Sequence, residues 1–297
     1  MPPIGLFLVQ IFVSAIIMFL IALAVAHWRH FRRLRNTPMP PRTAFTTAVL
    51  QNDVDFVRAA LESGMDANTR LLDTPEFDQA DRLISRLSLE RHLLAPTPLI
   101  VSASLGYIEM ANILLEFGAD LYLKNGINKL GSNALYTAAY AGHREMMALF
   151  LRRSGLNSIR GSDFESAIIS AASAGQNAVI SLLLEHGADV NIRDDFDTTL
   201  TAAAASGHDT TVNLLLKRGA NVNLATSDGE TPLMAAVDIN RFSAIPLDYL
   251  EARLRVVDLL ITAGAELNTR DHEGRTALWW AKKPQLHARL KAAGATK

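Results

Sequence analysis

The chain has 297 residues, 20% of them charged, with a formal net charge of −1 and no cysteine. The lack of cysteine excludes disulfide bonds and cysteine-ligated metal sites but leaves the cellular compartment open. The charge is unevenly divided, because residues 1–42 contain five arginines and no acidic residue, which leaves 24 basic against 30 acidic residues in the remainder, a net charge of −6. A mildly acidic domain is a poor nucleic-acid binder, since such binders carry a basic footprint.

The first predicted element is an uncharged apolar segment at residues 4–26, which predicts a transmembrane anchor over residues 1–27. As a helix rising ~1.5 Å per residue it is about 35 Å long, enough to cross a ~30 Å hydrocarbon layer with some tilt. A buried soluble helix is disfavoured because the segment is apolar on every face. A cleaved signal peptide is the alternative, since Ala24-Val25-Ala26 has the form of a cleavage site. Against cleavage stand the uncharged start of the chain and the length of the apolar stretch.

A basic juxtamembrane linker at residues 28–42 follows the anchor and contains Arg29, Arg32, Arg33 and Arg35 without any acidic residue. In this interpretation the arginines face anionic lipid headgroups. Because positive charge is retained on the cytoplasmic side of a membrane, the linker predicts a single-pass protein with a cytoplasmic domain. If the apolar segment is instead a cleaved signal, the domain is periplasmic or secreted.

From residue 43 onward the chain repeats a pattern with a period near 33 residues. The clearest pair is "LLLEHGADVN" from Leu182 and "LLLKRGANVN" from Leu214. Each unit has the pattern of a short helix rich in small residues, a tight turn, an apolar helix, a glycine cap and an extended hairpin loop. A fixed period of this length predicts units stacked in a solenoid. The capping glycines are Gly64, Gly118, Gly155, Gly187, Gly219, Gly264 and Gly294.

The ends of the helices also carry local signals. Thr97-Pro98 and Thr231-Pro232 predict helix starts, because threonine caps the first turn and proline suits a position that needs no donor. The glycines at 106, 142, 175 and 207 predict a left-handed turn after the first helix, and Asn52 and Asn240 stand in the same slot.

This pattern resembles the ankyrin repeat, whose usual form is D-x-x-G-x-T-P-L-H-x-A-A-x-x-G-H, an apolar helix and then G-A-D-V-N. The best matches are "GHDTTVNLLLKRGANVNLATSDGETPLMAA" from Gly207 and "AGAELNTRDHEGRTAL" from Ala263. The histidine of T-P-L-H is replaced in every unit, which is expected to weaken the hydrogen bonding between successive turns. The resemblance implies an all-α ankyrin solenoid over residues 43–297, with about seven units near residues 43–70, 97–126, 133–160, 166–195, 198–228, 231–272 and 276–297.

The resemblance implies a protein–protein interaction scaffold rather than an enzyme. No histidine pair, serine elbow or phosphate loop has the spacing that catalysis or cofactor binding needs, so we predict no catalytic, cofactor or metal site. In ankyrin-like units the partner meets the hairpin tips and the last residues of the first helices. Here these are Asp194, Asp195, Asp197, Asp228, Glu230, His272 and Glu273 at the tips, and Leu105, Tyr140, Asp238 and Ile239 on the first helices. Because the tips are mostly acidic, a partner with a basic patch is expected.

Two insertions and the last unit depart from the repeat. Residues 71–96 predict a short amphipathic helix that covers an edge of the solenoid or docks a partner. Residues 242–254 form the second insertion, in which we expect an elongated second helix to begin after Pro246, and a capping role is the alternative. In the last unit Trp279, Trp280, Leu286 and Leu290 are predicted to cover the final apolar face.

Overall fold

The computed structural model describes residues 42–71, 96–125, 132–153, 162–194, 196–238 and 247–296. Within these ranges the regular secondary structure is helical, and one isolated antiparallel bridge joins Arg193 to Thr198. No helix in these ranges is long and apolar enough to cross a membrane. The predicted anchor, residues 28–41 of the basic linker and the inserted residues 72–95 lie outside them.

The described helices form seven successive pairs, which confirms the predicted helical solenoid. The first helices of the pairs are α1 (Arg42–Leu50), α3 (Pro98–Leu105), α5 (Ala134–Ala141), α7 (Ser162–Ser173), α9 (Thr199–Ala205), α11 (Pro232–Val237) and α13 (Ala277–Trp280). The second helices are α2 (Val54–Glu62), α4 (Ile108–Glu116), α6 (Arg144–Arg153), α8 (Asn177–Glu185), α10 (Asp209–Lys217), α12 (Leu247–Thr262) and α14 (Pro284–Ala292).

The predicted capping residues start and end these helices. The side chains of Thr97 and Thr231 accept hydrogen bonds from backbone N–H groups three residues later, at 3.3 and 3.4 Å. Each is followed by proline in the first turn, where the missing donor costs nothing. Gly106 ends α3 with a φ of 73°, and Asn52 takes the corresponding slot with a φ of 57°. At these residues the local signals act as predicted, whereas the predicted caps Gly155 and Asn240 lie outside the described residues.

Small residues let the first helices approach one another, and larger residues of the second helices fill the space outside them. Ala138 and Ala139 on α5, and Ala203 and Ala204 on α9, are fully buried. The second helices contribute buried side chains such as Leu215 to the same continuous core. A continuous core of this kind stabilises a solenoid because each unit buries part of the apolar surface of its neighbours.

Successive turns are joined by the residue that follows the turn glycine. Nε2 of His143 and of His208 lies 3.0 Å from the carbonyl oxygen of Ser104 and Ser173 respectively, in the preceding unit. Between these two, Nε2 of Gln176 donates to the carbonyl oxygen of Tyr140 at 3.1 Å. These bonds provide ties between turns even though no unit has histidine in its T-P-L-H slot.

A second ladder of bonds joins the loops after the second helices. The Asn191 side chain donates to the carbonyl oxygen of Gly219 at 3.4 Å and accepts from the backbone N–H of Asn221 at 2.7 Å. Asn223 repeats both contacts with the following unit, at Gly264 and Glu266. The asparagine of the G-A-D-V-N motif thus aligns neighbouring loops.

The last unit follows the prediction only in part. Leu286 and Leu290 are fully buried and Trp280 is half-buried, but Trp279 is 49% exposed. In units 5 and 6 the corresponding slot, Thr201 and Met234, is buried because the next first helix packs over it. At Trp279 the side chains of Arg275 and Lys282 approach the ring instead, with Lys282 Nζ 4.0 Å from the ring centroid.

Candidate partner-binding surface

The hairpin loop of the fifth unit is a tight turn that presents an aromatic side chain. The backbone N–H of Asp194 donates to the carbonyl oxygen of Asp197 at 3.0 Å. The Asp194 carboxylate accepts from the backbone N–H groups of Phe196, at 2.8 Å, and of Asp197, at 2.7 Å. Phe196 is 61% exposed, the largest value among the large apolar side chains of the described ranges. Asp194 therefore closes the turn, and the turn leaves Phe196 in solvent.

The hairpins of the sixth and seventh units are one residue longer and are joined to each other. Their closing hydrogen bonds span residues 226–230 and 271–275, at 2.9 and 3.0 Å. The fourth residue of each is a glycine with positive φ, 80° at Gly229 and 77° at Gly274. The backbone N–H of His272 donates to the carbonyl oxygen of Asp228 at 3.0 Å, which places the two tips side by side.

A buried carboxylate, Asp271, fixes the seventh hairpin. Its oxygens accept from the backbone N–H groups of Glu273 and Arg275, from Arg275 Nε at 2.8 Å and from Trp280 Nε1 at 3.1 Å. Burial raises the pKa of Asp271, but these hydrogen bonds outweigh it and bring the pKa below its usual value. Arg275 also pairs with Glu273 at 2.6 Å. The predicted tip residue Glu273 therefore lies beside a cation.

The structure places the described tip residues at the surface. Asp228, His272 and Glu273 are exposed, whereas Asp194, Asp197 and Glu230 are half-buried. Asp195 lies outside the described residues. The tips of units 5 and 6 together contribute four carboxylates and one guanidinium, that of Arg193, in the described ranges.

Of the two tyrosines of α5, Tyr136 lies within electrostatic reach of the fifth hairpin. Tyr136 and Tyr140 are both half-buried. Burial raises the pKa of Tyr136, a hydrogen bond with the Ser170 side chain lowers it, and the nearby Tyr140, Asp194 and Asp197 raise it further. The charges of the hairpin are therefore close enough to act on the tyrosine. Leu105, the corresponding candidate at the end of α3, is half-buried as well.

Asp238 is a correction to the sequence-based surface. It lies at the end of α11 and is only 7% exposed, and its backbone carbonyl oxygen accepts a hydrogen bond from Arg253 at 2.8 Å. A buried side chain offers no contact to a partner, so Asp238 does not belong to the surface. The neighbouring candidate Ile239 lies outside the described residues.

Sequence reasoning missed Arg253, whose side chain is fully buried in α12. Nη1 donates to the carbonyl oxygens of Ala235, Ala236 and Asp238, at 3.2, 2.9 and 2.8 Å, and Nη2 donates to that of Ala205. This guanidinium ties unit 6 to unit 5, in the role that histidine or glutamine has between the earlier units. Nothing in the sequence singled out Arg253, because an arginine in a charged helix is normally exposed.

Comparison with protein families identifies the kind of repeat. The family described as ankyrin repeats (3 copies) matches residues 77–160, 99–194 and 168–247, and the single ankyrin repeat matches residues 228–272. These matches cover more than half of the chain. The chain belongs to the ankyrin repeat family. Repeat solenoids of this kind offer extended concave surfaces for binding.

The curated relatives of this ankyrin repeat protein are larger proteins matched over part of their length. A transient receptor potential cation channel subfamily A member 1 homolog of Caenorhabditis elegans is 30% identical over 185 residues, 61% of this chain and 14% of that protein. The E3 ubiquitin-protein ligase KEG of Arabidopsis thaliana is 30% identical over 168 residues, 57% of this chain and 8% of the ligase. The DNA replication inhibitor plutonium of Drosophila melanogaster is 34% identical over 85 residues, 29% of this chain and 47% of the inhibitor. The chain spans less than half the length of each relative.

Solved structures agree with the fold. The human ASB11 ankyrin repeat domain superimposes with a TM-score of 0.59 at 22% identity, covering 85% of this chain and 98% of that domain. The ankyrin repeat domain of Bcl-3 gives a TM-score of 0.54 at 21% identity, covering 86% and 98%. At this level of identity the similarity concerns the fold alone. In the described ranges no group of three or more His, Asp or Glu side chains is placed to hold a metal ion.

Proposed function

We propose that this ankyrin repeat protein is a membrane-tethered scaffold that binds a protein partner through an acidic ridge. The ridge consists of the hairpin residues Asp194, Asp197, Asp228, Glu230 and Glu273. The observation that carries the proposal is the row of preformed turns that hold these carboxylates at or near the surface. A partner with a basic patch complements such a row, because opposite charges accelerate encounter and disfavour other partners.

The first helices supply the apolar part of the proposed contact. Tyr140 and Leu105 are half-buried at the ends of α5 and α3, so part of each side chain remains for a partner. Buried aromatic residues commonly hold a complex together, while charges at the rim mainly change its rate of formation. The ridge therefore selects the partner, and Tyr140 prolongs the lifetime of the complex.

Charge-removing variants test the ridge directly. The partner would be captured by crosslinking at the membrane, and association with the full-length protein would be measured at several salt concentrations. Asp194→Asn, Asp195→Asn and Asp197→Asn together should slow association and flatten its dependence on salt. Asparagine keeps an acceptor oxygen at residue 194, so the turn is retained. Tyr140→Ala should instead raise the dissociation rate.

A matched control exists elsewhere in the repeat. Asp66, Asp120 and Asp189 each accept the backbone N–H two residues later, and Asn221 does so in the fifth unit. Changing these three aspartates to asparagine removes the same number of charges from residues outside the ridge, with the turn preserved. If this control slows association as much as the ridge variant, the effect is one of net charge and the ridge is not the binding surface.

The tether is proposed from the uncharged residues 4–26 and the arginines that follow them. The proposed orientation keeps the solenoid in the cytoplasm. A reporter fused after Lys297 should be active in the cytoplasm, and replacing Arg29, Arg32, Arg33 and Arg35 with glutamate should disturb that orientation. Reporter activity on the far side of the membrane contradicts the orientation. If N-terminal sequencing shows that the mature protein starts after Ala26, the result supports the cleaved, exported alternative instead.

A further inference from the structure

We infer that the tip of the fifth hairpin is an aromatic anchor that enters an apolar contact surrounded by basic side chains on the partner. The tip consists of Asp194, Phe196 and Asp197. This inference rests on the proposed function, since it names the kind of partner surface that the acidic ridge meets. It adds a specificity-determining residue, Phe196, to a ridge that is otherwise defined by charge.

The repeat itself does not need an aromatic residue at this place. Counted back from the first helix, Phe196 corresponds to Gly229 and Gly274, which both have positive φ. Phe196 avoids that strained region because its turn is one residue shorter, closed between residues 194 and 197. The corresponding glycines show that the repeat requires no side chain at this place, and Phe196 contributes to the turn through its backbone N–H.

The side chain also contributes little to the core. Phe196 is 61% exposed, compared with 39% for Phe117 and 42% for Tyr122. Most of its apolar surface therefore remains available to another molecule.

The turn prepares this side chain for binding. Three hydrogen bonds of 2.7–3.0 Å close residues 194–197, and the isolated bridge between Arg193 and Thr198 pairs the two arms. A backbone that is already ordered loses little conformational entropy when a partner arrives. Rigid aromatic residues in such positions are frequent anchors of interfaces.

The charges around the tip define the partner. The carboxylates of Asp194 and Asp197 flank Phe196 in sequence, and Arg193 is the basic residue of the same hairpin. Asp228 and Glu230 add two carboxylates on the next hairpin. An acidic surface would be repelled, whereas lysine or arginine side chains around an apolar contact satisfy both the ring and the carboxylates.

Synthetic peptides test this inference without knowledge of the natural partner. The probes are fluorescent peptides of about 15 residues in which leucines are interspersed with arginine, glutamate or glutamine, together with an arginine peptide whose leucines are replaced by serine. Their binding to the full-length protein in a non-ionic detergent is measured by fluorescence anisotropy. The arginine–leucine peptide should bind about tenfold more tightly than the other three.

Phe196→Gly is the decisive variant, because glycine is the residue of the same slot in units 6 and 7. This variant should bind the arginine–leucine peptide about tenfold more weakly than the wild type does, and its affinity for the arginine–serine peptide should be unchanged. Phe196→Ala guards against an effect of glycine on the turn, and both variants should melt at the temperature of the wild type. Phe117→Ala, at an exposed phenylalanine of the second unit, should change binding less than about twofold.

The possible failures are distinguishable. If Phe196→Gly and Phe196→Ala bind the arginine–leucine peptide as the wild type does while the ridge aspartates still matter, the anchor is wrong and the ridge stands. If the glutamate–leucine peptide binds as well as the arginine–leucine peptide, the charge preference of the ridge is wrong, and the inference falls with it.

Discussion

His208 shows how one side chain makes the stability of the solenoid depend on pH. Burial lowers its pKa below the ordinary value of 6.5, by more than the Ser173 carbonyl and the Asp209 carboxylate raise it. The folded protein therefore keeps this imidazole neutral at a pH where the unfolded chain already binds a proton. Its contribution to stability is complete above the unfolded pKa and is lost as the pH falls below about 6.5.

Replacing His208 with glutamine should remove this pH dependence. Gln176 makes the same tie one unit earlier without titrating, so the hydrogen bond between turns is retained. Between about pH 7.5 and pH 5, we expect the melting temperature of His208→Gln to fall by less than that of the wild type. The exposed His287, replaced by glutamine, serves as the control for the loss of one histidine. Identical pH profiles for wild type and His208→Gln would contradict the assignment.

At the scale of the element, α12 differs from the other second helices. It has 16 residues, whereas α8 and α10 have nine. The elongated helix was predicted from sequence, and its C-terminal end keeps the register of the repeat at Gly264. The additional residues lie at its N-terminal end, which carries Arg253 to the carbonyl groups at the end of α11.

The buried guanidinium should stabilise this junction strongly. Arg253→Met removes donors from four backbone carbonyl groups, so we expect the free energy of unfolding to fall by roughly 2–4 kcal/mol. Arg255 on the same helix is 56% exposed and pairs with Asp209, and Arg255→Met should cost less than about 1 kcal/mol. Chemical denaturation measures both. If Arg253→Met and Arg255→Met lower the free energy of unfolding by the same small amount, water replaces the hydrogen bonds of the buried guanidinium.

At the scale of the whole molecule, stability depends on stacking of each unit on the next. The helices α12 and α14 pack together, as do α11 and α13, and Leu286 and Leu290 are fully buried in that contact. The last unit also has an exposed polar side, which includes Lys282, Lys283 and Lys291. A terminal repeat with such a side keeps a solenoid soluble.

Removing the last unit should therefore uncover the sixth. A chain that ends after Arg275 loses α13 and α14, and we expect it to melt at a lower temperature than the full chain or to aggregate. A chain that ends after Ala295 keeps both helices and serves as the control. Thermal unfolding followed by circular dichroism, with light scattering, measures the outcome. Equal melting temperatures for the two truncations would falsify the capping role.

The sequence by itself determined the repeat, the helix ends and the position of the hairpins. These features depend on interactions within a few residues, such as the Thr231 cap and the left-handed turn at Gly106 or Asn52. The tip residues Asp228 and Glu273 were found in the same way, because the hairpin motif fixes their place relative to the next helix.

Only the tertiary structure decided which side chains are exposed, because exposure depends on units far apart in the chain. Asp238 was predicted at the surface and is buried, whereas Phe196 was not selected and is the most exposed large apolar side chain of the described ranges. Arg253 donates to a carbonyl group 48 residues earlier, a contact that no local pattern predicts. Local hydrogen bonds specify each unit, and the packing of one unit on another specifies the surface.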